Sequence, residues 1–159
     1  MYEWPWQKLE LEFWTVREFK YPEMMARTQL LFLEELRRRC GSPLHNNGDG
    51  RLRHDMRRIY PELEEPAWPD SAHYVIGDTI SDRERDCQAN DLEPEGRGTL
   101  PDAEFNRRMG VLAEKALALK NEGTFPAVGV EIATRHIHVD TFEIRRWARR
   151  PRFWVGKSR

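Results

Sequence analysis

A chain of 159 residues, 39% hydrophobic and 33% charged with a net charge of −1, reads as an ordinary globular protein able to bury a core without disulfides. The charge balance excludes a surface tuned as a whole to nucleic acid or to an anionic membrane, and no stretch approaches the roughly 20 apolar residues of a membrane span. The two cysteines, Cys40 and Cys87, make neither a disulfide framework nor a CxxC pair.

Residues 1–21 are rich in aromatics (Trp4, Trp6, Phe13, Trp14, Phe19, Tyr21) and read as an opening segment laid across the domain. The start "MYEWPWQKLELEFW" lacks the basic lead and apolar run of a secretion signal, so cytoplasmic synthesis is expected. "YPEMMARTQLLFLEELRRRCG" predicts a helix with Pro22 in its first turn, three arginines in its last turn and Gly41 beyond its end. Met25, Leu30, Leu33 and Leu36 fall near helical spacing as its buried stripe, with Cys40 a half-buried thiol at its end.

Residues 42–98 have weak periodicity and are dense in Gly, Pro, Asn and Asp. Loops of more than about 12–15 residues are uncommon unless functional or disordered. The aromatic and branched residues here predict a structured, loop-rich segment with short strands. "LPDAEFNRRMGVLAEKALALKNEG" predicts a second helix whose stripe is Phe105, Met109, Leu112, Ala116 and Leu119, started by Pro101 and Asp102 and stopped by Gly123. "FPAVGVEI" and "RHIHVDTFEI" read as two strands, and the short link through Ala133 and Thr134 predicts that they pair antiparallel. The order predicts an α+β fold, a mostly antiparallel sheet with helices packed on it, in a single domain over residues 1–159. The tail 145–159 carries six arginines, one lysine and no acid among its aromatics. Packing of Trp147, Phe153 and Trp154 is its first reading, attraction to anionic wall polymers its second and nucleic acid its third.

The chemistry concentrates in "ATRHIHVDTF". On a strand, side chains alternate between faces. His136, His138 and Asp140 then share one face, while Ile137 and Val139 point to a core. An HxH pair alone suits a half-exposed strand surface as readily as a metal site. A catalytic zinc site needs three ligands of His, Asp, Glu or Cys type and an open position. "PDSAHYVIGD" supplies His73 after a Ser-x-His step, and "CQANDLEPEG" supplies Asp91 in an Ala-x-Asp-Leu strand. His45 and His54 have no partner pattern and read as surface loop histidines.

A Ser-x-His, a small-x-Asp-aliphatic and a late His-x-His-x-Asp strand together resemble the zinc peptidases of the D-alanyl-D-alanine carboxypeptidase and L-alanyl-D-glutamate endopeptidase family. Many phage endolysins belong to it, and the hedgehog signalling domain shares its fold. "EFKYPEMM" with "LLFLEELRRRCGSPL" resembles the family's opening helix, "GDGR" its turn with a substrate-binding arginine, and "RPRFWVGKSR" the tails of phage members. The resemblance implies a hedgehog/DD-peptidase-like fold with Zn2+ on His73, Asp91 and His138. His136 would line the site, and Arg51 would hold a substrate carboxylate. It further implies a peptidase that uses metal-activated water against peptidoglycan stem or cross-link peptides. Such an enzyme acts at the bacterial cell wall, as a monomer, with no nucleic-acid partner and no membrane insertion.

Two features depart from the family pattern. The family places its first His and its Asp in one Ser-x-His-x-x-Gly-x-Ala-x-Asp run, whereas residues 74–90 separate His73 from Asp91 here, as if a lid or other insertion had entered; Asp78 and Asp82 compete for the ligand role. Where the family often carries its catalytic glutamate, three residues before the last ligand, this chain has Arg135, which leaves Glu131 as the nearest upstream acid. The rival expectation is an inactive, zinc-containing binding module of the same fold. Asp140 is a candidate partner for a ligand ring N–H.

Overall fold

A computed structural model of the chain describes residues 9–64, 71–123, 127–131, 134–141 and 153–156, with only the backbone at Ala127, Glu131 and 153–156. Three helices and five strands follow one another as β1 Leu44–Gly48, β2 Ala89–Pro94, β3 Ala127–Glu131, β4 His136–Asp140 and β5 Phe153–Gly156, with α1 Arg27–Cys40 before β1, α2 Arg53–Ile59 between β1 and β2, and α3 Asp102–Asn121 between β2 and β3. The sheet order is β1-β2-β4-β3-β5. The first four of these pair antiparallel, as expected, and β5 lies parallel to β3. The architecture is α+β.

Leu30, Leu33 and Leu36 of α1 and Leu112, Ala116 and Leu119 of α3 meet Leu92, Val128, Ile137 and Val139 of the sheet in one buried core. Trp14 and Phe19 of the opening segment join it, and the Trp14 indole N–H donates to Leu33 O at 2.9 Å. Gly41 closes α1 at φ 63, a left-handed position that glycine takes without steric cost. Burial pushes the Cys40 thiol up to about 11.

The first helix starts later than its sequence predicts. Pro22–Met24 is a separate 3-10 turn, and Met25 is extended at ψ 129. The reason is tertiary: Met24 O accepts from Cys87 N at 2.6 Å and Cys87 O from Ala26 N at 2.8 Å, so this backbone is spent on a bridge between Met25 and Cys87. The segment 42–98 holds β1 and β2 and also α2, which weak periodicity concealed. Its capping acid Asp55 accepts from Leu52 N at 3.1 Å. Met56 of this helix and Tyr74 form a small second apolar cluster with Tyr60 and Ile76.

Residues 74–90 are stitched down at both ends. Val75 and Cys87 are fully buried. Arg85 donates to Tyr74 O at 2.7 Å and Ser71 O at 2.6 Å, and Arg83 to Ile80 O and Glu23 O. Ile76, at φ 56, is a β-branched residue in the left-handed region. Such a conformation costs on the order of 1–3 kcal/mol and persists where its surroundings impose it; here Val75 O and Ile76 O both accept from Glu84 N. Among the described residues no helix is long and apolar enough to cross a membrane. Trp4, Trp6 and the side chains of the tail 145–159 lie outside the described residues.

Candidate metal centre

β2 and β4 pair in a register that sets Asp91 directly opposite His138, so the two side chains share one face of the sheet. The opposite face of the same strands carries Leu92, Ile137 and Val139 into the core, which fixes that register because a one-residue slip would exchange the faces. Gly48 of β1 and Gly129 of β3 flank the row that contains Asp91 and His138. His73 arrives from the loop before the 74–90 segment. Its carbonyl accepts from Arg51 N at 2.8 Å, which ties that loop to the turn following β1.

Three ligand atoms converge. His73 Nε2 and His138 Nδ1 are 3.2 Å apart, and Asp91 Oδ1 lies 3.3 Å from the first and 3.0 Å from the second. Two ligands of a tetrahedral zinc with bonds of about 2.0–2.1 Å are roughly 3.3 Å apart, so the spacing fits. The group His73, Asp91 and His138 can hold a metal ion.

His73 Nδ1 sits 2.8 Å from Asp49 O, and a carbonyl only accepts, so that nitrogen carries the hydrogen. His138 Nε2 likewise faces Asp140 Oδ2 at 2.9 Å. In neutral rings, His73 Nε2 and His138 Nδ1 therefore present lone pairs, and Asp91 Oδ1 presents another. Three lone pairs then converge on one spot, which a metal ion or a proton on His138 can occupy. This is the arrangement in which outer partners fix the tautomer and orientation of metal-binding imidazoles.

Without a metal the centre takes up a proton. Burial alone would lower the pKa of His138, yet its contacts with Asp140 and Asp91 outweigh burial and raise it to about 9. Burial also opposes the charge on Asp91, but His73 and His138 hold its carboxyl well below the usual carboxylate range. Burial keeps the His73 imidazole below its ordinary value despite the neighbouring carboxylate. These directions describe a buried pocket that attracts positive charge.

His136 Nε2 is 3.6 Å from Asp91 Oδ1, while its Nδ1 meets Thr134 Oγ1 at 2.7 Å, so it borders the three ligands. Arg51 is present too, but its guanidinium is turned onto Asp91 Oδ2 at 3.2 Å and Tyr60 Oη at 3.0 Å. Glu131 pairs with His136 across the β3–β4 ladder; its side chain lies outside the described residues. Asp78 pairs with Arg53, and Asp82 caps Thr79 N, so neither joins the centre. His45 and His54 are exposed.

Sequence reasoning missed Asp49, whose main-chain oxygen sets the tautomer of His73, and Tyr60, which holds Arg51. It also missed Glu93. This buried carboxylate, two residues after Asp91 on the same strand face, accepts from Arg97, which in turn donates to the carbonyls of Thr134 and Arg135 at 2.8 Å. That clamp fixes the turn leading into His136, where Arg135 sits at φ 53. The acid-x-acid step in "DLEP" was its only sequence signal. Compared with known proteins, the chain matches no family model, no curated protein and no solved structure.

Proposed function

We propose that this chain is a zinc-dependent peptidase of the carboxypeptidase/endopeptidase kind that it resembles, with the hedgehog/DD-peptidase-like fold, cleaving stem or cross-link peptides of peptidoglycan. The observation that carries the reading is the convergence of His73 Nε2, His138 Nδ1 and Asp91 Oδ1, each imidazole anchored through its other nitrogen. Two imidazoles and one carboxylate suit zinc, and three protein ligands leave a position open. Zinc so held would supply a Lewis acid for a peptide carbonyl and would lower the pKa of water toward about 7.

The chain's own residues supply the rest. His136, held by Thr134 Oγ1 at the rim of the ligand set, is placed to donate to a developing oxyanion. Glu131, opposite His136 in the ladder, is the acid proposed to take the attacking water's proton and pass it to the leaving amine. Asp140 and Asp49 O hold the two imidazoles in their ligating tautomers.

The test is release of new amino groups from purified peptidoglycan and from synthetic stem peptides. Wild type is compared with His138→Ala and Glu131→Gln, with zinc content read on the same samples. Zinc with hydrolysis, both lost in His138→Ala, is expected, and Glu131→Gln should keep the metal while losing at least about 100-fold in kcat. Zinc without hydrolysis of any wall peptide would replace the peptidase by a zinc-containing binding module.

A further inference from the structure

Arg51 joins the two halves of the centre. Its backbone N–H donates to His73 O at 2.8 Å, and its carbonyl accepts from Val75 N at 3.1 Å, so it forms a short bridge with the segment that carries the loop-borne ligand. Its guanidinium reaches the strand-borne ligand, with Nη2 3.2 Å from Asp91 Oδ2. Nη1 donates to Tyr60 Oη at 3.0 Å, and the guanidinium carbon lies 5.7 Å from the centre of that ring. The side chain is only 14% exposed.

The two oxygens of Asp91 are thereby divided. Oδ1 faces His73, His138 and His136, while Oδ2 faces Arg51. Room for Oδ2 is made by Gly48, where an added Cβ would lie 3.0 Å from that oxygen. A carboxylate beside a dication can bind through one oxygen or both. An arginine on the second oxygen engages it with a charge-assisted hydrogen bond and favours the one-oxygen mode.

We propose that Arg51 is a positioning residue that keeps Asp91 a one-oxygen ligand, and so keeps a coordination position free, rather than the clamp for a substrate carboxylate. The inference rests on the metal-centre reading above, and it assigns Tyr60 and Gly48 to the same device. Tyr60 fixes the guanidinium plane, and Gly48 leaves space for the oxygen that the guanidinium holds. Arg51→Lys keeps the charge but loses the planar fork that meets Asp91 and Tyr60 together.

The test uses cobalt(II) as the probe on the full chain, because four-coordinate cobalt absorbs visible light far more strongly than five- or six-coordinate cobalt. Wild type is expected to give the intense four-coordinate spectrum. Arg51→Met should give a weaker spectrum, as Asp91 chelates through both oxygens, with cobalt affinity lower by about 10–100-fold. Arg51→Lys should fall between, and Tyr60→Phe should shift least.

Gly48→Ala, which retains Arg51 and crowds Asp91 Oδ2 from the other side, should move the spectrum in the same direction as Arg51→Met. It also serves as the second probe should Arg51→Met fail to fold by circular dichroism. Unchanged spectra and affinity in Gly48→Ala and in folded Arg51 variants, with any effect confined to KM for peptides bearing a free carboxylate, would overturn the inference and leave the metal centre standing. A wild type that takes up no cobalt and no zinc would instead remove the centre itself.

Discussion

Two polar clusters lie one residue apart on opposite faces of β2, and they are built on different logic. On the core side, Gln29 Nε2 donates to Asn90 Oδ1, Asn90 Nδ2 to Asn46 Oδ1, and Asn46 Nδ2 to Glu18 O and Asp49 Oδ2. Every contact has a donor and an acceptor, and only Gln29 Oε1 and Asp49 Oδ1 at its ends lack a partner among the described residues. On the other face, beginning with Asp91, the outer contacts are matched in the same way, but with neutral rings the inner atoms are all acceptors. The first cluster is matched within itself except at those two ends, which stabilises a unique packing. The second, with neutral rings, leaves three lone pairs facing one another, which a proton on His138 or a metal ion can resolve. Burial and polarity alone would not separate a structural network from a candidate binding site; the count of donors against acceptors is what differs between the two.

The largest expected effect breaks the two clusters apart. His73→Ala or Asp91→Asn should abolish specific zinc uptake in equilibrium dialysis. It should also remove the thermal stabilisation that zinc gives wild type, about 2.7 kcal/mol at a hundredfold excess over Kd. If these variants bound zinc as wild type does, the assigned ligands would be wrong.

Next comes pH. His138 in the metal-free protein keeps its proton up to about 9, so a metal must displace that proton at any lower pH. Zinc affinity is therefore expected to fall about tenfold for each pH unit between 8 and 6. One proton should be released per ion, readable by titration calorimetry in buffers of different ionisation heat. An affinity flat over that range would contradict the lone-pair count.

Asp140→Asn tests the outer contact of the strand-borne imidazole. It should weaken zinc by about 10–100-fold while leaving one ion per chain at saturation. The smallest effect on the centre is expected from the other face: Asn90→Ala should cost about 1–3 kcal/mol of folding stability in urea with zinc stoichiometry unchanged. Loss of zinc together with stability in that variant would mean that the two clusters are one unit.

Much of this was legible because strands and helices print their periods on the sequence. The alternation of "HIHVD" placed Ile137 and Val139 in the core and His138 on the other face, and α3 follows the four-three stripe from Phe105 to Leu119. Asp91 was readable from its strand context although residues 74–90 separate it from His73. What could not be read is where main chain does the work. The oxygen of Asp49 that orients His73 has no side-chain signature, and the pairing of Met25 with Cys87, which delays α1, joins distant segments. The short helix α2 buries Met56 alone among its apolar residues, with Leu52 at its N-cap, too few to establish a period. The contact of Arg51 with Asp91 depends on a fold that brings the turn after β1 beside β2.

The most direct measurement is the anomalous difference map of a crystal soaked in zinc, recorded above and below the zinc edge. One peak about 2.0–2.1 Å from each of His73 Nε2, His138 Nδ1 and Asp91 Oδ1 is the predicted result. A site without a peak, with His138 still bonded through a proton to Asp91, would contradict the account.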